Sequence, residues 1–162
     1  MKKNLNQHIP TVVFQHIPTS QEAFRFTKDG GVCKGHSYEG IASVKSDSGL
    51  FNAIVDSGQV HFFAVGHNHG NDYCCPYQGD NSTESKDRSI SICFGRHSGY
   101  GGYSTYKENG EKWEKGTRIY LFEIKENDEF SWSSYVRLQN GEIVDRYSPV
   151  DITVNTLARL ET

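Results

Sequence analysis

Phe62-Phe63-Ala64-Val65-Gly66-His67-Asn68-His69-Gly70-Asn71-Asp72-Tyr73-Cys74 is the stretch on which the fold turns. An apolar run of strand length stops at Gly66 and hands over to two histidines at i and i+2. A strand buried on both faces reads as an unbroken apolar run, and a side chain just past its end sits where a ligand can reach it. Gly66 is the residue expected to permit the tight turn. Upstream, Val12-Val13-Phe14-Gln15-His16-Ile17-Pro18 repeats the pattern, with Pro18 closing the strand. If both tips belong to one sheet, His16, His67 and His69 converge on one or two metal ions.

Between the two runs, Ser48 to Asp56 reads as an amphipathic helix. Leu50, Phe51, Ile54 and Val55 share a face, and Gly58 lies just past the end. Thr19-x-x-Glu22 forms a capping box for a short helix to Phe26, which accounts for Glu22 without a chemical role. Strand, helix, strand (Thr11–Gln15, the helix, Val60–Val65) predicts a covered, largely parallel sheet and an α/β class. Gly79 to Arg88 is polar and expected as a surface loop. Ser89–Phe94, Thr117–Ile124 and Phe130–Leu138 alternate as strands, and Asn140-Gly141 is a hairpin turn into Glu142–Val144. The sheet is therefore expected to be mixed, with a C-terminal antiparallel hairpin. No internal boundary breaks residues 1–162, so one domain is expected. Tyr147 to Thr162 reads equally as a last strand or a short helix.

Composition narrows the function classes. Apolar residues make up 35%, and the chain has 16 glycines, a balance that supports a packed core. Seventeen Lys+Arg against 20 Asp+Glu gives a net charge of −3, which argues against a general nucleic-acid surface. No stretch approaches the roughly 18 apolar residues needed to cross a bilayer, and no secretory signal opens the chain. Cys33, Cys74, Cys75 and Cys93 have no zinc-finger spacing. They read as ordinary thiols in a reducing compartment, with a bridge from Cys93 to Cys74 or Cys75 as the alternative. The compartment stays open, with the cytoplasm ahead of the others.

The ordered series His16-Ile17-Pro18, Glu39, Gly49-Leu50-Phe51, Gly66-His67-Asn68-His69-Gly70-Asn71-Asp72-Tyr73-Cys74, Phe94-Gly95-Arg96 and Gly99-Tyr100-Gly101-Gly102-Tyr103 resembles the calcineurin-like metallophosphoesterases. Within them it is similar to the purple-acid-phosphatase-like branch of plants, fungi and protists. The likeness runs from about Thr11 to Leu138. It implies a four-layer α/β/β/α sandwich of which this chain is the C-terminal part. It also implies a dinuclear centre of Fe, Zn or Mn, with His16 and His67 on one ion and His69 on the other. Two such ions can share a hydroxide and clamp phosphate oxygens during in-line displacement.

The acidic and amide motifs of the N-terminal half of that family have no counterpart here. Gly79-Asp80 lies in a polar loop, Gly70-Asn71 is followed by Asp72 rather than histidine, and no Asp-x-His occurs. The expectation is a partial or absent metal centre and an isolated chain that does not hydrolyse phosphoesters. A missing segment or self-association would then complete the scaffold. The alternative is a non-catalytic binding module on the same framework.

The remaining candidates each carry two readings. Arg96 could grip a phosphate oxygen, or form a salt bridge. His97 and Tyr100 could line the substrate mouth; the glycine-tyrosine run lacks the lysine and helix of a P-loop. Asp72 could orient an imidazole ligand from behind, or make a local turn bond. Asn68 is given no ligand role. His8 and His36 have no motif support, His61 reads as a core residue, and Trp113 and Trp132 read as packing residues.

Overall fold

The computed structural model describes residues 9–19, 33–42, 48–77, 90–103, 105–126 and 129–149. The expected capping box and helix after Thr19, the polar loop from Gly79 and the chain beyond Pro149 lie outside these residues.

The first sheet grows from the two quoted runs. Strand β1 (Thr11–Phe14) pairs in parallel with β2 (Val60–Val65), Val13 facing Phe63 and Phe14 facing Ala64. The helix between them, α1 (Leu50–Ser57), ends as expected at Gly58, which has φ 60° and donates its N–H to the Val55 carbonyl. Beyond β2 lies β4 (Ser91–Phe94), also parallel, and then the short antiparallel β3 (Cys74–Pro76). The order is β1-β2-β4-β3, a mixed sheet. Two short strands, β5 (Lys107–Glu108) and β6 (Glu111–Lys112), make a separate hairpin.

The second sheet is an antiparallel meander, β7 (Gly116–Ile124), β8 (Phe130–Leu138) and β9 (Ile143–Tyr147). Trp132, Val136 and Ser134 turn inward on alternate positions of β8, as a strand with one buried face requires. Tyr147 closes β9 and is buried, so the stretch that read equally as strand or helix begins as a strand.

Three layers follow. Phe51 and Ile54 of α1 pack on Phe63, Val65, Ile92 and Phe94 on one face of the mixed sheet. Its other face, with Phe62, Ala64 and Cys93, packs on Trp132 and Tyr147 of the meander. Phe62 alone meets Phe14, Tyr120, Phe122 and Trp132 at ring separations of 5.5, 4.7, 5.9 and 4.5 Å. A fully buried side chain of this size contributes about 1.5–3 kcal/mol through lost water contact. The order is helix, sheet, sheet; the fourth layer of the expected sandwich is not found among the described residues. Trp132 is a packing residue, and Trp113 is buried.

The reading of four free thiols is overturned. Cys33 is bonded to Cys75 and Cys74 to Cys93, with no free cysteine left. The sequence offered no way to see this, because pairing depends on β3 lying between β4 and the segment at Cys33. Lys34 and Cys74 exchange backbone hydrogen bonds of 2.9 and 2.8 Å, and Cys74 faces Cys93 across the β3–β4 ladder.

Candidate functional site

Parallel pairing of β1 and β2 brings their carboxyl ends side by side, so the residues after each strand meet. The Gly66 N–H donates to the His16 carbonyl at 3.0 Å, and the His16 and His67 rings lie edge to face, centroids 5.3 Å apart. The bend falls one residue later than expected. His67, not Gly66, takes the left-handed conformation, with φ 68°. The Asn68 N–H donates to the Gly66 carbonyl at 2.8 Å, closing a γ-turn around His67. A non-glycine residue held there is strained and must be fixed by its surroundings.

Those surroundings are polar and buried. Residues 33–42 run alongside the turn and are sewn to it. The Asn68 amide donates to the Gly40 carbonyl at 2.9 Å, the Asn71 amide oxygen accepts the Glu39 N–H at 3.3 Å, and the Tyr38 N–H donates to the Gly70 carbonyl at 2.9 Å. Glu39 in turn accepts hydroxyl protons from Tyr106 and, at 3.2 Å, from Tyr103. Tyr106 lies flat against Gly70, where a Cβ would come within 2.7 Å of its ring. The glycine-tyrosine loop is thereby pinned over the histidine turn.

His69 faces that loop. Its ring stacks on Tyr103 at 4.2 Å and on His97 at 4.3 Å, and its Nδ1 lies 2.8 Å from the Tyr103 carbonyl. Burial, then the Lys115 charge and His69, push the His97 imidazole below its ordinary range. Tyr100 is 79% exposed, with Lys115 Nζ 5.3 Å from its ring centre. Beside it Tyr100, Lys112, Trp113, Glu114, Lys115 and Gln139 line a cleft of about 300 Å³.

Asp72 and Arg96 point elsewhere. The Asp72 carboxylate is wholly buried. Its Oδ2 accepts from Arg96 Nη1 at 2.8 Å, and its Oδ1 accepts the His36 N–H at 2.7 Å. Arg96 also donates to the Glu114 carbonyl through Nε at 2.8 Å and lies 3.6 Å over the Trp113 ring. Arg118, buried in the meander, donates to the Phe94 carbonyl, Ser134 Oγ and the Asp72 carbonyl. Burial alone would raise Asp72, but His36, Arg96 and Arg118 together hold it below its usual range. The imidazole that Asp72 touches is thus His36 and not a histidine of the turn, and Arg96 is committed to holding Asp72.

His36 is the residue that sequence reasoning missed. Its Nδ1 lies 3.4 Å from both Asp72 Oδ1 and Asp145 Oδ2, and its Nε2 lies 3.0 Å from Glu108 Oε1. The Asp145 carboxylate first, then Asp72, pushes this imidazole up to about 10. A Gly-His pair after a polar loop carries no periodic signal, and its partners come from three other segments.

For a dinuclear centre of the kind the resemblance implies, the rim gives an incomplete donor set. His16 and His67 meet and His69 stands apart. Among the described residues the one group of three or more converging His, Cys, Asp or Glu side chains is His36, Asp72 and Asp145, away from the rim. Neutral imidazoles suit Zn, Fe or Mn, but bridging two ions takes a carboxylate, and none joins the rim histidines in such a group.

The chain is similar to two Arabidopsis thaliana proteins, "Probable inactive purple acid phosphatase 29", 25% identical over 136 residues, and "Probable inactive purple acid phosphatase 14", 25% identical over 140. The matches cover 84% and 86% of this chain but 31% of each relative. A third relative is "Protein SIA1" of Kluyveromyces lactis, 21% identical over 81% of this chain and 20% of its own length. The chain thus spans about a third of the length of the curated relatives it matches, or less. No family profile and no solved structure matches it. No helix among the described residues is long and apolar enough to cross a membrane.

Proposed function

We propose that this chain is the C-terminal part of a purple-acid-phosphatase-like scaffold and does not by itself hydrolyse phosphoesters. The observation that carries the reading is the rim. Two adjacent parallel strands end at His16 and His67 in edge contact, with no carboxylate converging on them among the described residues. The relatives' own names, purple acid phosphatases called inactive, point the same way. In this reading His16 and His67 are the surviving end of one Fe, Zn or Mn site and His69 of the other. His97 and Tyr100 flank the place of a phosphoester in the complete scaffold. Arg96 leaves the substrate set, because its guanidinium is occupied by Asp72 and Glu114.

The test is turnover of an aryl phosphate by the pure, oxidised chain with Mn²⁺, Fe²⁺ or Zn²⁺ added. Rates at the level of the metal-only control are expected, unchanged by His16→Ala or His67→Ala. Turnover well above that control and abolished by either substitution would overturn the proposal.

A second reading, a binding module, is favoured by one flank. Edge strands β1 and β7 lie on the same side, and Phe14, Leu121, Phe122 and Ile124 are there half-exposed or more. Open edges of this kind invite another strand or surface. The occupant proposed is the remainder of the scaffold that the relatives carry. Light scattering on the wild type and on a Leu121→Lys, Ile124→Lys variant checks it: binding of a hydrophobic dye should fall in the variant. A wild type that binds no dye and stays monomeric at high concentration would count against an open flank.

A further inference from the structure

We infer that His36 Nδ1, Asp72 Oδ1 and Asp145 Oδ2 form a binding site for one divalent transition-metal ion, of which zinc is the best fit, separate from the His16–His67 rim. The three donor atoms lie within 4.8 Å of one another. They come from three places in the chain: the segment sewn to the histidine turn, the turn itself and β9.

The donor orientation requires a cation. His36 Nε2 sits 3.0 Å from Glu108 Oε1, so the ring proton of a neutral imidazole belongs on that side. The Nδ1 lone pair then faces two carboxylate oxygens, each 3.4 Å away. Lone pair against two anions repels unless positive charge lies between them. Arg96 does not supply it, being bound to the other Asp72 oxygen. Arg118 reaches the Asp145 carbonyl rather than its carboxylate. Among the described residues, the ion-pair partner of the Asp145 carboxylate is His36 alone.

That charge is a proton on Nδ1 or a metal ion, and the distances separate the two. A proton held between imidazole and carboxylate gives a bond of about 2.7–2.9 Å. Here both separations are 3.4 Å, and Nδ1 and Asp145 Oδ2 are buried with no hydrogen-bond partner. A tetrahedral ion with ligand bonds of about 2.0–2.1 Å sets its donors about 3.3–3.4 Å apart. Glu108 then occupies the outer position common in such sites, a carboxylate accepting the far N–H of a ligating histidine. One nitrogen and two carboxylate oxygens suit zinc, and the imidazole, 28% exposed, leaves the ion a way in. Gly35 holds the backbone close enough, since a Cβ there would meet Asp72 Oδ1 at 2.9 Å.

The experiment is calorimetric titration of the full, oxidised chain with Zn²⁺ alone, with Co²⁺ absorption as a second readout of coordination. Wild type and the His16→Ala, His67→Ala double variant should both take up an ion at this site. Asp145→Asn and His36→Gln should each lose that equivalent and the cobalt d–d bands. Glu108→Gln should retain it about 10–100-fold more weakly. Asn suits the left-handed backbone at Asp145 (φ 51°), so Asp145→Asn keeps the fold, checked by circular dichroism without metal. No uptake by wild type, or uptake untouched by both Asp145→Asn and His36→Gln, would overturn the inference and leave the proton as the charge. Uptake lost only in the His16→Ala, His67→Ala variant would also overturn it. Because aryl-phosphate turnover tests the rim and this titration tests His36, each can fail without the other.

Discussion

His67 shows what one residue can and cannot reveal in advance. A glycine before two histidines signalled a turn, and the turn is there, but the left-handed backbone falls on the imidazole itself. Hydrogen bonds from Asn68 and Asn71 to residues 33–42 fix that geometry, and such partners leave no mark in local sequence. Asp72 was legible as a carboxylate behind an imidazole; that its imidazole is His36 was not, since 36 residues separate them. Two substitutions test these residues. Arg96→Met strands the wholly buried Asp72 carboxylate and should cost about 3–5 kcal/mol in urea unfolding. Gly70→Ala sets a methyl against the Tyr106 ring at 2.7 Å and should cost about 1–3 kcal/mol by the same measurement.

Among elements, periodicity decided which could be foreseen. The helix at Leu50–Ser57, strands β1, β2 and β4, and the long meander strands carry apolar runs or alternation over enough residues to be read. Strand β3 has three residues and β5 and β6 two each, too few for any period, and they exist because neighbours pair with them. The two disulfides fasten β3 to the β4 strand and to the segment at Cys33, closing separations of 42 and 19 residues. On a chain-entropy estimate each adds about 3–4 kcal/mol. Reduction should therefore lower the melting temperature sharply, followed by circular dichroism with and without dithiothreitol. A thiol assay on the unfolded, unreduced chain should find no free sulfhydryl.

At the scale of the molecule, two cores lie on opposite faces of one mixed sheet, and β3 contributes to both. Cys74 belongs to the core shared with the meander, Cys75 to the core under the helix. Successive side chains of a strand point to opposite faces, so neighbouring sulfurs are carried into different compartments of the interior. Exchanging their partners would demand that β3 slide by one position and turn its whole pattern inside out. The adjacent pair thus acts as a built-in alignment gauge. A peptide map of misassembled protein that found Cys33 joined to Cys74 would diagnose a strand threaded one residue out of step.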